Sequence, residues 1–131
     1  MTRRAWAELP ALFVPDARIT VDTRTAAPVE IHGGAELAEF IEGAIARFEL
    51  FIFSILNVVA EVDADDPDAA AGRMYMCEIR AEQGHESRAY GLYQDRFART
   101  PDGWAFAARH YSSLGRTGPD LVAFPLPDAR P

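Results

Sequence analysis

The stretch that decides the fold is GLYQDRFARTPDGWAFAARHYSSL, residues 91–114. Two alternating runs flank Thr100-Pro101-Asp102-Gly103, and turn residues in that position signal a β-hairpin. Pro101 and Asp102 in a type I turn, with Gly103 left-handed, give a three-residue loop that sets Thr100 opposite Trp104. Side chains alternate along a strand, so counting back by twos sets Phe97 against Ala107, Asp95 against Arg109 and Tyr93 against Tyr111, all on one face. The other face then carries Trp104, Phe106, Ala108 and His110, with Leu92, Gln94 and Arg96. The sequence thus predicts a cross-strand Asp95–Arg109 ion pair flanked by two tyrosines. Such a pair either faces solvent, where it is worth well under about 1 kcal/mol, or lines a space. The second reading rests on Gly91, Ala105 and Ala107, small residues on the same face. At this point both readings stand.

Working outward, Arg73–Ala81 reads as the preceding strand, with Met74, Met76 and Glu78 on one face and Tyr75, Cys77 and Ile79 on the other. Burial beside two methionines would raise the Glu78 pKa towards the acid–base range. The competing reading places Glu78 near a strand end, paired with Arg80 or Arg88. Phe51–Val62 is a long strand in which Phe53, Ile55 and Asn57 alternate with Ser54, Leu56 and Val58. Asn57 among apolar neighbours requires a hydrogen-bond partner. Asp63–Asp68 is an acidic loop; without the Gly and distal Glu of an EF-hand it reads as a solvated turn.

Further towards the N-terminus, Gly33-Gly34 opens a helix in which Leu37, Phe40, Ile41, Ala44, Ile45 and Phe48 recur at helical spacing. Arg18–Thr23 and Val29–His32 read as paired strands. Thr2 can cap a short helix bearing Trp6, Leu9, Leu12 and Phe13 on one face, which Pro10 kinks or ends. Beyond the hairpin, four prolines punctuate residues 115–131, an extended tail whose Leu121, Val122, Phe124 and Leu126 suit packing on the domain or on a partner. The expected organisation is one domain over 1–114 followed by that tail. Helices first and antiparallel strands after define an α+β domain.

Composition narrows the function. The 131 residues carry a net charge of −7, which argues against nucleic acid and anionic membrane as partners. The longest apolar run is broken by Ser54, Asn57 and Glu61, so no membrane span is expected. Cys77 is the single cysteine and His32, His85 and His110 lack ligand spacing, so no metal is expected. The start lacks an apolar signal segment, which makes the cytoplasm the expected location.

The segments WAELPALFVPDARITVD (6–22), IHGGAELAEFI (31–41), LNVVAEVD (56–63), GRMYMCEI (72–79) and the opening hairpin together resemble the SnoaL-like branch of the NTF2-like superfamily. That resemblance implies a cone-shaped, strongly curved antiparallel sheet packed against N-terminal helices, a pocket inside the cone and a homodimer formed through the sheet. An exposed sheet face bearing Trp104 and Phe106 would be the contact. The resemblance favours the cavity reading, with Glu78, Tyr93, Asp95 and Arg109 as catalytic candidates and Phe40, Phe53, Asn57, Met74, Met76 and Tyr111 as ligand-binding candidates. Glu78 would be a base, Tyr93 a donor, and Arg109, oriented by Asp95, an oxyanion partner.

Two departures stand out. The family's dehydratases have a His where this chain has Phe53, and they draw a Tyr and an Asp from a helix preceding the Trp6 segment, which these residues do not include. The expected function is a cofactor-free lyase, isomerase or cyclase acting on a small hydrophobic or aromatic molecule. The alternative is a non-catalytic ligand-binding or assembly module, such as a small oxygenase-type subunit.

Overall fold

The computed structural model describes residues 1–129. A seven-residue 3-10 helix, Trp6–Leu12, leads into β1 (Phe13–Asp22), β2 (Val29–His32), α1 (Gly33–Ile45), β3 (Leu50–Val62), β4 (Ala69–Glu82), β5 (His85–Thr100), β6 (Gly103–Thr117) and β7 (Val122–Ala123). The strands form one sheet in the order β2-β1-β6-β5-β4-β3, with β7 paired to β6. The sheet is mixed rather than antiparallel throughout. The four-strand meander β3 to β6 brings β6 back beside β1 running in the same direction.

Local chemistry explains the element ends. Pro10 lies within the 3-10 helix, and Phe13 follows directly in extended conformation. Thr2 does not cap that helix. Its hydroxyl accepts from the Phe53 N–H at 2.9 Å, which fastens the N-terminus to β3. At the start of α1, the Glu36 carboxylate accepts from the His32 N–H at 3.0 Å and places negative charge in the first turn. Gly34 is required for close approach, since a Cβ there would sit 2.7 Å from the Pro10 Cα. Between β4 and β5, Gln83 (φ 51) and Gly84 (φ 78) form a two-residue turn with both central residues left-handed, the geometry that matches strand twist.

Three one-residue register shifts bend the sheet and re-aim side chains, as bulges do. The first, in β3, leaves Leu56 unpaired between Ile55↔Met76 and Asn57↔Tyr75. The second, in β6, leaves Ala107 unpaired between Phe106↔Phe97 and Ala108↔Arg96. The third leaves Leu114 unpaired between Ser113↔Gly91 and Gly115↔Tyr90.

The hairpin loop itself has two residues, with Thr100 opposite Gly103. The Thr100 hydroxyl accepts from the Asp102 N–H and donates to the Gly103 carbonyl. The sequence-based register is therefore off by one at the turn, and the unpaired Ala107 restores it. Asp95↔Arg109 and Tyr93↔Tyr111 pair as expected, whereas Phe97 faces Phe106 rather than Ala107.

α1 packs on β1, β2 and the 3-10 helix. One core joins Phe13, Ala17, Ile19 and Ile31 to Leu37. A second gathers Ile45, Phe48 and Phe51 near the turn from α1 into β3. The tail follows a sheet edge and the outer face. β7 pairs Val122 with Arg116, Arg24 Nη1 donates to the Pro125 carbonyl at 3.0 Å, and Gln94 Nε2 donates to the Asp128 carbonyl at 3.3 Å. Leu121, Val122 and Leu126 stay exposed, whereas Phe124 is half-buried with the Arg24 guanidinium over its ring.

Candidate functional site

Between α1 and the concave face of the sheet lies a cavity of about 240 Å³. Its apolar wall comes from Ile19 and Val21 of β1 and from Leu37, Phe40, Ile41 and Ala44 of α1, and Met1 reaches one end. Beside Ile19 and Val21, the sheet adds polar groups opposite α1: Glu78, Arg80, Tyr93, Arg109, Tyr111 and Arg116. One side of the space therefore suits hydrocarbon, and the other suits charge and hydrogen bonding.

Arg109 is held from behind. Its Nε and Nη2 donate to the two Asp95 oxygens at 2.7 and 2.9 Å, with both side chains buried. The guanidinium carbon lies 4.0 Å from the centre of the Tyr93 ring and 4.2 Å from that of Phe106, so the cation is held between aromatic rings. Asp95 takes two of the five N–H donors of the fork.

The second carboxylate is held differently. Arg80 Nε donates to Glu78 Oε2 at 2.9 Å, and Arg80 Nη2 closes on the same oxygen. Both donors converge on Oε2, which leaves Oε1 outside the pair. The competing sequence reading, pairing with Arg80, is thus part of the geometry, yet Glu78 still lines the cavity.

Tyr93 and Tyr111 lie side by side with ring centres 5.1 Å apart. Burial is the main cause that pushes both hydroxyls above the ordinary tyrosine value of 10.0, and for Tyr93 it outweighs the opposing pull of Arg109. Both therefore stay protonated at neutral pH and keep an O–H able to donate. Gly91 makes room for this pair, because a Cβ there would run into the Tyr111 ring.

The structure sorts the sequence-derived candidates into three groups. Glu78, Tyr93, Arg109, Tyr111 and Phe40 line the cavity. Asp95, Phe53, Met74 and Met76 do not. Asp95 stands behind Arg109, while Met74, Met76 and Phe53 pack against Tyr93 and Tyr111. Asn57 is exposed and pairs with Tyr75 on the face away from Met76, because the unpaired Leu56 shifts the alternation by one. Phe106 moves the opposite way. It packs on Phe13 at 5.0 Å, on Phe97 at 4.9 Å and on Arg109, inside the cone rather than on an outer contact face.

Arg80 and Arg116 are cavity residues beyond the sequence-derived set. The Arg80 position follows from Glu78 two residues earlier on the same face; nothing local in the sequence marks Arg116. Among the described residues, no group of three or more His, Cys, Asp or Glu side chains is placed to hold a metal ion. Among the described residues, no helix is long and apolar enough to cross a membrane.

A curved α+β sheet with a helix across its concave face and a mixed-polarity cavity between them defines the NTF2-like class of single-domain folds. Residues 2–110 match the SnoaL-like domain family, and the chain belongs to it. The fold is shared with several solved structures. A provisionally assigned scytalone dehydratase from Novosphingobium aromaticivorans superposes with a TM-score of 0.74 at 20% identity, over 98% of this chain and 85% of that one. The hexachlorocyclohexane dehydrochlorinase LinA-type3 from Novosphingobium barchaimii gives 0.73 at 17% identity, over 96% and 84%. A provisionally assigned aromatic ring hydroxylase from Novosphingobium aromaticivorans gives 0.73 at 19% identity, over 89% and 81%. No curated protein sequence matches the chain.

Proposed function

We propose that this chain binds a small, largely hydrophobic molecule in the cone and acts on it as a cofactor-independent lyase or isomerase. The observation that carries the reading is the unequal use of the two carboxylates: Asp95 gives both oxygens to Arg109, while Glu78 gives only Oε2 to Arg80. Glu78 Oε1 is then the base. It takes a proton from a carbon beside a carbonyl, and the electron pair moves onto the carbonyl oxygen. Tyr93 and Arg109 hold that developing oxyanion, a stabilisation that is strong in a site screened from water. Where a leaving group sits on the next carbon, its bond breaks as the enolate collapses, which is a lyase reaction. Reprotonation at another carbon gives an isomerase. Asp95 acts as a positioning residue.

The names of two structural relatives, a dehydratase and a dehydrochlorinase, are those of elimination enzymes and agree with this reading. Proton abstraction can be tested before the natural substrate is known. A panel of cyclic ketones in D2O should exchange their α-protons in the presence of the native protein, by NMR, and not with Glu78→Gln. Equal exchange with both proteins would remove the assigned base.

Association is proposed from a separate observation. Ile55, Leu56, Val58 and Val62 of the edge strand β3 are each more than half exposed, a run of apolar side chains on an open sheet edge. A symmetric homodimer through β3 would cover it. Light scattering should give twice 14.5 kDa, and Val58→Lys should return a monomer. A native monomer at high micromolar concentration contradicts the assignment.

A further inference from the structure

The charge inside the cone runs against the charge of the whole chain. The net charge is −7, yet the cavity is lined by Arg47, Arg80, Arg109 and Arg116 with Glu78 as the sole carboxylate. Three of the four arginines are committed. Arg109 pairs with Asp95, Arg80 with Glu78, and Arg47 with Glu82 at 3.5 Å. Arg116 pairs with no carboxylate among the described residues. Its Nη2 reaches only the Thr23 carbonyl at 3.4 Å, and its Nε is buried with no acceptor from the protein. A buried guanidinium N–H lacking an acceptor is costly, more so than a neutral group.

The backbone shows why Arg116 points where it does. The unpaired Leu114 shifts the alternation of β6, so Arg116 pairs with Ala89, a cavity-lining residue, instead of joining the outer face. β7 then pairs Val122 with Arg116 from the other side, and strands hold its backbone on both flanks. A cation whose backbone is held in this way, in a cavity also lined by Leu37, Phe40 and Ile41, is arranged for a ligand with hydrocarbon at one end and negative charge at the other.

We propose that Arg116 is the anion-recognition residue of the cavity and that the ligand is a small apolar carboxylate, its carboxylate on the Arg116 guanidinium and its hydrocarbon against α1. This rests on the reading of the cavity as a small-molecule site and specifies the class of molecule. Arg109, with two of its five N–H donors held by Asp95, remains the partner for charge that develops during reaction.

Benzoate and benzamide, of the same shape but different charge, separate the two layers of the argument by isothermal titration. Native protein should bind benzoate about ten- to a hundredfold more tightly than benzamide, the range expected for charge-assisted hydrogen bonds in a sheltered site. Arg116→Met, checked for folding by circular dichroism, should bring the two affinities within about twofold. Arg116→Lys should keep part of the preference, since it retains the charge without the planar fork. The native preference should also persist at about 0.5 M salt, because a sheltered contact is screened little.

Equal affinity for the two probes in the native protein overturns the anion assignment and leaves the small-molecule site standing. So does a benzoate preference that survives Arg116→Met or vanishes with salt. Saturable binding of neither probe overturns both.

Discussion

Two arginine–carboxylate pairs stand on neighbouring parts of one sheet, and they differ in how the carboxylate is used. Asp95 and Arg109 meet across β5 and β6 with both oxygens engaged and both side chains buried. Glu78 and Arg80 lie two residues apart on β4, with both donors on one oxygen and partial exposure of each side chain, 14% and 24%. The first pair is closed, and removing either member strands a charge in the interior. The second is open, with one oxygen outside it and solvent within reach of both partners. Burial thus decides which pair is closed and which keeps one oxygen outside it.

The contrast is broken most directly at Asp95. Asp95→Asn keeps the volume but leaves Arg109 buried beside a neutral group, and should lower the unfolding free energy by about 3–5 kcal/mol. Urea denaturation measures this, and a loss as small as that of an exposed pair would show that Arg109 finds another partner.

Glu78→Gln should have the reverse profile. Its effect on stability should stay near about 1 kcal/mol, as for other partly solvated pairs. Proton exchange on a responsive ketone should fall by about 10²–10⁴-fold, the usual contribution of a positioned base. If Glu78→Gln destabilises as much as Asp95→Asn, the two pairs are equivalent and the distinction fails.

Gly91→Ala sharpens the comparison from between the pairs. The new methyl group would displace the Tyr111 ring, at a cost of about 1–3 kcal/mol. It should also weaken any cavity ligand while leaving the Asp95–Arg109 geometry intact. A crystal structure of the variant together with titration of a bound ligand would check both statements.

The smallest expected effect is on the alkaline limb of stability. Tyr93 and Tyr111 have hydroxyls raised above 10.0 in the fold, chiefly by burial. The unfolded chain therefore loses these protons first as pH rises. Their contribution is complete below pH 10.0 and declines above it. Denaturation midpoints should fall on that limb, and Tyr93→Phe should flatten the fall. Absorbance titration of the phenolates should show one of the two late-ionising groups lost in the same variant.

What the sequence by itself determined was most of the strands, the helix that opens at Gly33, and the pairing of Asp95 with Arg109 and of Tyr93 with Tyr111. These follow from alternation and turn chemistry, which are local properties of the chain. Even there the pairing survived through two offsetting departures, a turn one residue tighter than read and an unpaired Ala107 that restored the count.

Tertiary structure alone decided the rest. Whether the Asp95–Arg109 pair met water depended on Phe106, Tyr93 and the neighbouring strands closing around it. The three unpaired residues reassigned the side chains beyond them: Leu56 sent Asn57 to the outer face, Ala107 brought Phe106 inside, and Leu114 turned Arg116 into the cavity. A bulge answers the curvature that a sheet must adopt to wrap around a helix, and no residue at Leu56, Ala107 or Leu114 announces it. Each one flips the face of every residue that follows, so a single unseen insertion in the ladder is enough to hide a cavity arginine from a reading of the sequence.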